Sequence, residues 1–391
     1  DNRELIAVNL LDSDTKLLAF ESRLDQSVRV VKKDSLTELR AFYTFSSDNQ
    51  YMVFRSTDSM FTRNAIFQSG GIRDSIKLQS VNNIGGLELS AGKNIFRAGL
   101  SHTYYKYGNQ YSVQSENLLG LNVNIKGNVS NISYLLGFEN YFNGTYQGSY
   151  DFKASIDYAS KRTSKLKISA DASHGLYNAG LFSQRCLSNN FVWLNSFKQI
   201  MQTKLGGSIF YKSYGINVEI KQINNYIYFN QNAIPAQLEG SLLAYKIALK
   251  ARVKIVKGLY LDNLIRFQRT DKEEFVRIPD WVLRNILFYE ISSFKNALNM
   301  HFGVEFQYFS SFTSEVYMPA TTIMYLQDDH GNIGNFPYFN FFADFKIKDF
   351  ILFIRLENIT QGMFEYNYYA APSYPLPDFA FRFGATWRFF N

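Results

Sequence analysis

The sequence predicts an all-β chain folded as a transmembrane antiparallel β-barrel of about 16 strands, within a range of about 14 to 18. Three observations carry this expectation: two-residue alternation of apolar and polar side chains, strand segments of ten or more residues, and connectors that alternate between short and long. Composition agrees with them. The 391 residues include 36 Phe and 27 Tyr but only 7 Pro. Aromatic side chains suit a pleated surface, whereas Pro cannot donate to a ladder. No run of ~18 apolar residues is present, so no transmembrane helix is expected.

Taken in order, residues 1–80 alternate least cleanly. Segments 36–45, 51–56 and 75–81 read as strands without a fixed register, and 5–11 as a strand, a plug inside the barrel or a periplasmic strap. From about residue 85 to 390 the pattern is clear. Leu119, Leu121, Val123 and Ile125 oppose Gly120, Asn122, Asn124 and Lys126. Tyr150, Phe152, Ala154, Ile156 and Tyr158 oppose Asp151, Lys153, Ser155 and Asp157, and Leu166 to Ala172 continues likewise. Tyr214, Ile216, Val218 and Ile220 oppose Asn217, Glu219 and Lys221. Leu243 to Ile255 keeps every second residue apolar against Lys246, Lys250, Arg252 and Lys254, and Leu298 to Phe306 alternates against His301 and Glu305. Region 189–230 fits least, with segments 189–196, 200–210, 214–222 and 225–230 read as four strands. Counting back from the C-terminus gives about 17 strands from residue 86 onward, which the even count of closed barrels trims.

Length selects the architecture. Soluble strands average ~5–6 residues, whereas ~10 residues tilted by about 40° cross the ~25 Å apolar band of an outer-membrane barrel. Short links at 92–93, 129–130, 159–163, 256–258, 292–295 and 346–348 alternate with long ones at 106–117, 174–188, 231–240, 269–280, 310–337 and 359–377. Short periplasmic turns and long extracellular loops have this parity. The whole chain, 1–391, is therefore read as a single barrel domain.

If the apolar faces meet lipid, the opposite faces line a lumen. The candidate lining residues are Arg97, Lys153, Lys165, Lys167, Lys221, Lys246, Lys250, Arg252, Glu305, Arg382 and Arg388, with Lys204 and Lys212 beside them. Their cationic excess predicts a bias toward anions. Tyr104, Tyr105, Tyr107, Tyr141, Phe142, Tyr308, Phe309, Tyr366, Tyr368 and Tyr369 are expected at the outer interface, where amphipathic rings sit at headgroup level.

Catalytic groupings are scarce. His102, His174, His301 and His330 form no metal-ligand pair, and Cys186 stands alone, so no catalytic residue, metal or cofactor is expected. Asp328-Asp329-His330 reads as a solvated loop, and His301 with Glu305 as hydrogen-bonding lumen residues. The net charge of +7 is scattered and not packed into a basic block, which is only a weak argument for nucleic acid or an anionic surface, and no nucleic-acid partner is expected. Asp1 to Glu4 lack the regions of a signal peptide, as in a cytosolic or an already trimmed chain.

The C-terminal end carries the most specific pattern. Phe379, Phe381, Phe383, Ala385, Trp387 and Phe389 share one face of a final segment ending Phe-Phe-Asn391. It resembles the closing strand of outer-membrane barrels read by the barrel assembly machinery, with Asn391 where that signal has Phe. Upstream, Leu356-Glu-Asn-Ile-Thr and Tyr369-Ala-Ala-Pro-Ser-Tyr-Pro-Leu-Pro377 resemble the ending of Bacteroidetes outer-membrane proteins, including the porin-like family of that phylum and its TonB-dependent receptors. A receptor of that kind implies a plug domain and more strands than 391 residues hold, so the porin-like family is preferred. The resemblance implies an outer-membrane location and passive diffusion of small hydrophilic solutes, with lipid, solutes and the assembly machinery as partners. The alternative is a plugged structural barrel docking other envelope proteins. Segments 1–80 and 310–337 discriminate the two by folding inward or extending outward.

Overall fold

The computed structural model describes residues 12–34, 36–160, 165–328, 331–364 and 368–388. Seventeen strands form one antiparallel sheet. They are β1 (Ser13–Lys32), β2 (Thr37–Ser56), β3 (Ile72–Ala91), β4 (Asn94–Asn109), β5 (Val113–Val129), β6 (Ile132–Tyr141), β7 (Tyr150–Ala159), β8 (Leu166–Tyr177) and β9 (Ile200–Tyr211). The series continues with β10 (Tyr214–Asn224), β11 (Ser241–Val256), β12 (Leu259–Thr270), β13 (Trp281–Ser293), β14 (Leu298–Phe309), β15 (Tyr338–Ile347), β16 (Phe350–Glu357) and β17 (Ala380–Trp387). Each pairs with its neighbours in sequence. Among the described residues no ladder joins β1 to β17.

The links divide cleanly between the two ends of the sheet. At one end lie 33–36, 92–93, 130–131, 160–165, 212–213, 257–258, 294–297 and 348–349. At the other lie 57–71, 110–112, 142–149, 178–199, 225–240, 271–280, 310–337 and 358–379. The short turns need special backbone geometry: Gly258 sits at φ +85, and a Cβ there would come 2.9 Å from the Glu290 carbonyl oxygen. Asp34 caps the first turn by accepting from the Leu36 and Thr37 amides, both at 2.7 Å.

Several sequence expectations change. Region 189–230 contributes two strands of the sheet, β9 and β10, not four. Val192–Leu194 and Ile227–Phe229 instead form small hairpins with Arg185–Leu187 and Pro235–Gln237. Short alternating segments are as compatible with such hairpins as with spanning strands. This also corrects the count from residue 86 onward, because three of the seventeen strands precede Gly92 and fourteen follow. Residues 106–117 are mostly strand, with only 110–112 as link. In residues 1–80, segments 36–45 and 51–56 merge into β2, and β1 and β3 flank it. Residues 5–11 lie outside the described residues.

Cross-strand register sorts the side chains onto two faces. Ile209, Ile216, Leu249, Ile265 and Leu283 are consecutive partners from β9 to β13, forming an unbroken apolar row. Leu287, Val304, Phe341, Leu356 and Phe381 form another from β13 to β17. The opposite face is polar over most of its area. Strand length adds a second level of order. β1, β2 and β3 each have 20 residues, or ~66 Å at ~3.3 Å per residue, far more than a ~25 Å apolar band requires. Along β3 the polarity exchanges sides. Leu87 and Leu89 occupy the apolar face near the short-link end. Nearer the long links that same face carries Arg73, Lys77 and Gln79, while Ile72, Ile76 and Leu78 point the other way.

What those inward apolar residues meet is a cap of long links. Phe54 of β2 is fully buried against Phe61, Ile72 and Ala320, with Phe191 and Met318 packed alongside. Tyr105, Tyr107 and Leu118 bury against Leu181 and Phe182 of link 178–199. Link 310–337 leaves β14, yet the Pro319 carbonyl accepts from Thr15 Oγ1 of β1 at 3.0 Å, and Thr322 Oγ1 lies 3.4 Å from Met52 Sδ of β2. In a flat sheet β2 and β14 would stand ~58 Å apart at ~4.8 Å per strand. The sheet therefore curls so that its polar face is concave.

Candidate functional site

The polar face carries most of the sequence-predicted residues, and the structure brings many of them to acids. Asp171, Lys204, Glu219 and Lys246 form a chain across β8 to β11, with Nζ–carboxylate distances of 3.2, 3.8 and 3.0 Å. Arg252 binds both oxygens of Asp262 at 2.6 Å. Arg284 pairs with Glu305, Arg355 with Asp344 at 2.8 Å, and Arg382 with Glu357 at 3.0 Å. Lys153 pairs with Asp151. Such exposed pairs are each worth about 0–1 kcal/mol, so they fix side-chain direction and local field more than stability.

Other residues are not brought together. Lys167, Lys221 and Lys250 share the polar face by register but reach no carboxylate among the described residues. Lys165 precedes β8 and Arg388 follows β17, both at the short-link end; their backbones bond Lys212 and Asp349. His301 does not join Glu305, which Arg284 occupies. It stands 3.9 Å from Glu290 and opposite Asp344. Asp328 pairs with Arg277 at 2.6 Å; Asp329 and His330 lie outside the described residues. Tyr105 and Tyr107 are turned away from the outer interface and buried at 7% exposure each, where the Tyr107 hydroxyl donates to the Arg185 carbonyl at 2.8 Å.

The most closely built part of the polar face surrounds Arg97. Its guanidinium lies 3.6 Å over the Phe42 ring, donates to Thr44 Oγ1 at 2.9 Å and stands 3.9 Å from Glu88. Thr44 donates to Asp25 at 2.7 Å, and Asp25 in turn accepts from Arg23. Across β5 and β6, Asn124 donates to Asn122 at 2.5 Å and Asn122 to Glu139 at 2.6 Å. Arg97, Thr44, Glu88, Arg23, Asn122, Asn124 and Glu139 border a cavity of about 370 Å³ that is also lined by Ile84, Ile95 and Leu135. Sequence reasoning placed Asn122 and Asn124 on the polar face but missed Phe42 and Glu88. Alternation alone gives no signal for a ring that supports a cation.

The cap has its own centre in Asn189, which is fully buried. Its amide nitrogens bind Asp74, and its Oδ1 accepts from the Phe67 and Gln68 amides at 3.1 and 2.9 Å. One side chain thus joins link 178–199 to link 57–71 and to β3. Nearby, burial pushes the Cys186 thiol up to about 12, and burial likewise raises Glu315 despite Arg277. Among the described residues no group of His, Cys, Asp and Glu has metal-site geometry.

A family model described as Putative porin matches residues 1–391. The chain belongs to that family. It is a protein of the bacterial outer membrane, and its apolar face meets lipid. None of the curated proteins compared with it matches. Among solved structures, the ferric enterobactin receptor PfeA of Pseudomonas aeruginosa superimposes with a TM-score of 0.60 at 9% identity, covering 98% of this chain and 74% of the receptor. The copper transporter OprC gives 0.63 at 7% identity, over 89% of this chain and 60% of the transporter. The siderophore receptor PirA of Acinetobacter baumannii gives 0.59 at 8% identity, over 98% and 72%. At these identities the likeness is one of fold.

Proposed function

We propose that this porin-family sheet closes into a barrel whose concave polar face lines a lumen, and that small hydrophilic solutes cross the outer membrane through it by passive diffusion. One observation carries the reading: a single curled sheet presents an apolar row from strand to strand outside and charges, carboxamides and hydroxyls inside. Closure has a topological requirement. β1 and β17 both run from the long-link end to the short-link end, so their direct union would be parallel. One further strand, antiparallel to both, gives the even count usual for such barrels.

The packed long links narrow the mouth, so flux depends on the gaps between them and on their opening. Lys167, Lys221 and Lys250, which lack carboxylate partners among the described residues, supply a bias toward anions. Strand β17, with Phe381, Phe383 and Trp387 on its lipid face, is the segment presented to the assembly machinery. No catalytic step belongs to this reading. A plugged accessory barrel that docks envelope partners is the second reading, favoured by the reach of link 310–337 to β2.

Swelling of liposomes in sugars of graded size tests the proposal, using the native chain and a variant lacking 315–328. Flux of small sugars through the native chain is expected. Flux through the deletion alone makes the plugged reading correct, and no flux through either removes the channel. A cation-selective reversal potential in asymmetric KCl would sink the anion bias.

A further inference from the structure

We propose that the cavity at Arg97 is a binding subsite for a neutral saccharide of one or two rings. The inference deepens the channel reading, on which it rests for solute access, by naming a class of solute. Its volume of about 370 Å³ falls within the ~300–1,000 Å³ of small-molecule sites. Three features of its lining select the ligand.

The first is fixed polarity. Arg97 is held flat by Phe42 beneath it and Thr44 beside it, and the ring has room only because residue 99 is Gly. A Cβ there would meet Phe42 Cζ at 2.9 Å. The carboxamide relay from Asn124 through Asn122 to Glu139 fixes donors and acceptors on the facing side. A polyol matches such a wall because each hydroxyl both donates and accepts.

The second is an apolar patch where none is needed for lipid. Ile95 and Leu135, which flank Lys126 in register one layer from Arg97, point to the polar face and line this cavity. A pyranose ring has C–H faces to lay on aliphatic side chains and hydroxyls at its rim. A linear polyol or an inorganic ion has no such face.

The third is charge balance. The lining cations Arg23, Arg97 and Lys126 are set against the lining acids Glu88 and Glu139 and the Asp25 that Arg23 binds. A free anion or cation entering the cavity gains from one set and loses to the other. The cavity toward the short-link end differs, with Lys212, Lys250, Arg252 and Arg284 lining it against Asp262.

Titration calorimetry of the full chain, solubilised in a detergent without a sugar headgroup, tests the inference with glucose, maltose, mannitol and glucuronate. Millimolar binding of glucose or maltose is expected, with mannitol and glucuronate at least fivefold weaker. Arg97→Gln and Asn124→Leu should each weaken maltose at least fivefold, and Lys257→Gln should leave it unchanged. Native folding of each variant is checked by heat-modifiable electrophoretic migration. No saccharide binding by the native chain, or loss in neither folded variant, overturns the subsite. Glucuronate binding above glucose overturns its neutral character. Calorimetry needs no flux, so binding without swelling refutes the channel alone, and swelling without binding refutes the subsite alone.

Discussion

Replacing Asn189 by Ala should open the cap over the mouth. The substitution removes the Oδ1 that accepts from the Phe67 and Gln68 amides and the Nδ2 that reaches Asp74 at 2.8 Å and the Tyr111 hydroxyl at 3.2 Å. Two partly buried amides lose their acceptor, at about 1 kcal/mol each, and a bond to a carboxylate worth about 1.5–3 kcal/mol is lost. The Asn189 backbone amide still binds Asp74, and water entering the gap recovers part of the rest. A loss of about 3–4 kcal/mol remains, or two to three orders of magnitude in the closed-to-open ratio at about 1.4 kcal/mol per tenfold.

The molecule carries its own reporter. Cys186 is the single cysteine, 2% exposed, in the hairpin beside Asn189. With its thiol pushed up to about 12 by burial, it reacts with a maleimide only when the link opens. When reclosing is faster than alkylation, the rate tracks the open population. Asn189→Ala should speed alkylation by about 100- to 1,000-fold while native electrophoretic migration is kept. An unchanged rate in a natively migrating variant would refute the view that this side chain holds the cap.

Further outcomes follow from the same geometry. Leu249→Arg puts a charge into the apolar row of β11 and should cost about 2–4 kcal/mol, read by urea unfolding in vesicles. Arg277→Ala removes the partner of Asp328, which is itself 60% exposed; a loss of about 1–2 kcal/mol is expected, seen as easier protease cleavage within 315–328. Glu315 has its carboxyl raised by burial, so its contribution is fully present below the ordinary carboxylate range and is lost as pH rises through the raised value. Link 310–337 should therefore be better protected at acid than at neutral pH, measured by hydrogen exchange, and Glu315→Gln should flatten that difference.

The sheet was most legible where lipid faces one side and water the other over the whole strand. β10 and β11 meet that condition: Tyr214 to Ile220 and Leu243 to Ile255 alternate without interruption. β2, β3 and β4 do not. Their upper halves rise past the apolar band, so the outer side is wetted while the inner side packs Met52, Phe54, Leu78, Tyr105 and Tyr107 against the links. The alternation then changes phase within one strand, and a pattern search sees a mixture. The Arg97 cavity was half legible for a related reason. Its carboxamides fell on the expected polar face, but Ile84, Ile95 and Phe42 look like alternation errors until their shared destination is seen. Asn189 could not be found from spacing, because its partners lie 78 to 122 positions away in sequence.

Strand length is uneven around the sheet, with 20 residues at β1, β2 and β3 against 8 at β16 and β17. The rim at the long-link end is therefore not level: β1, β2 and β3 stand up like a parapet above the shorter strands. On the proposed closure, the shorter way into the lumen is over the shorter strands.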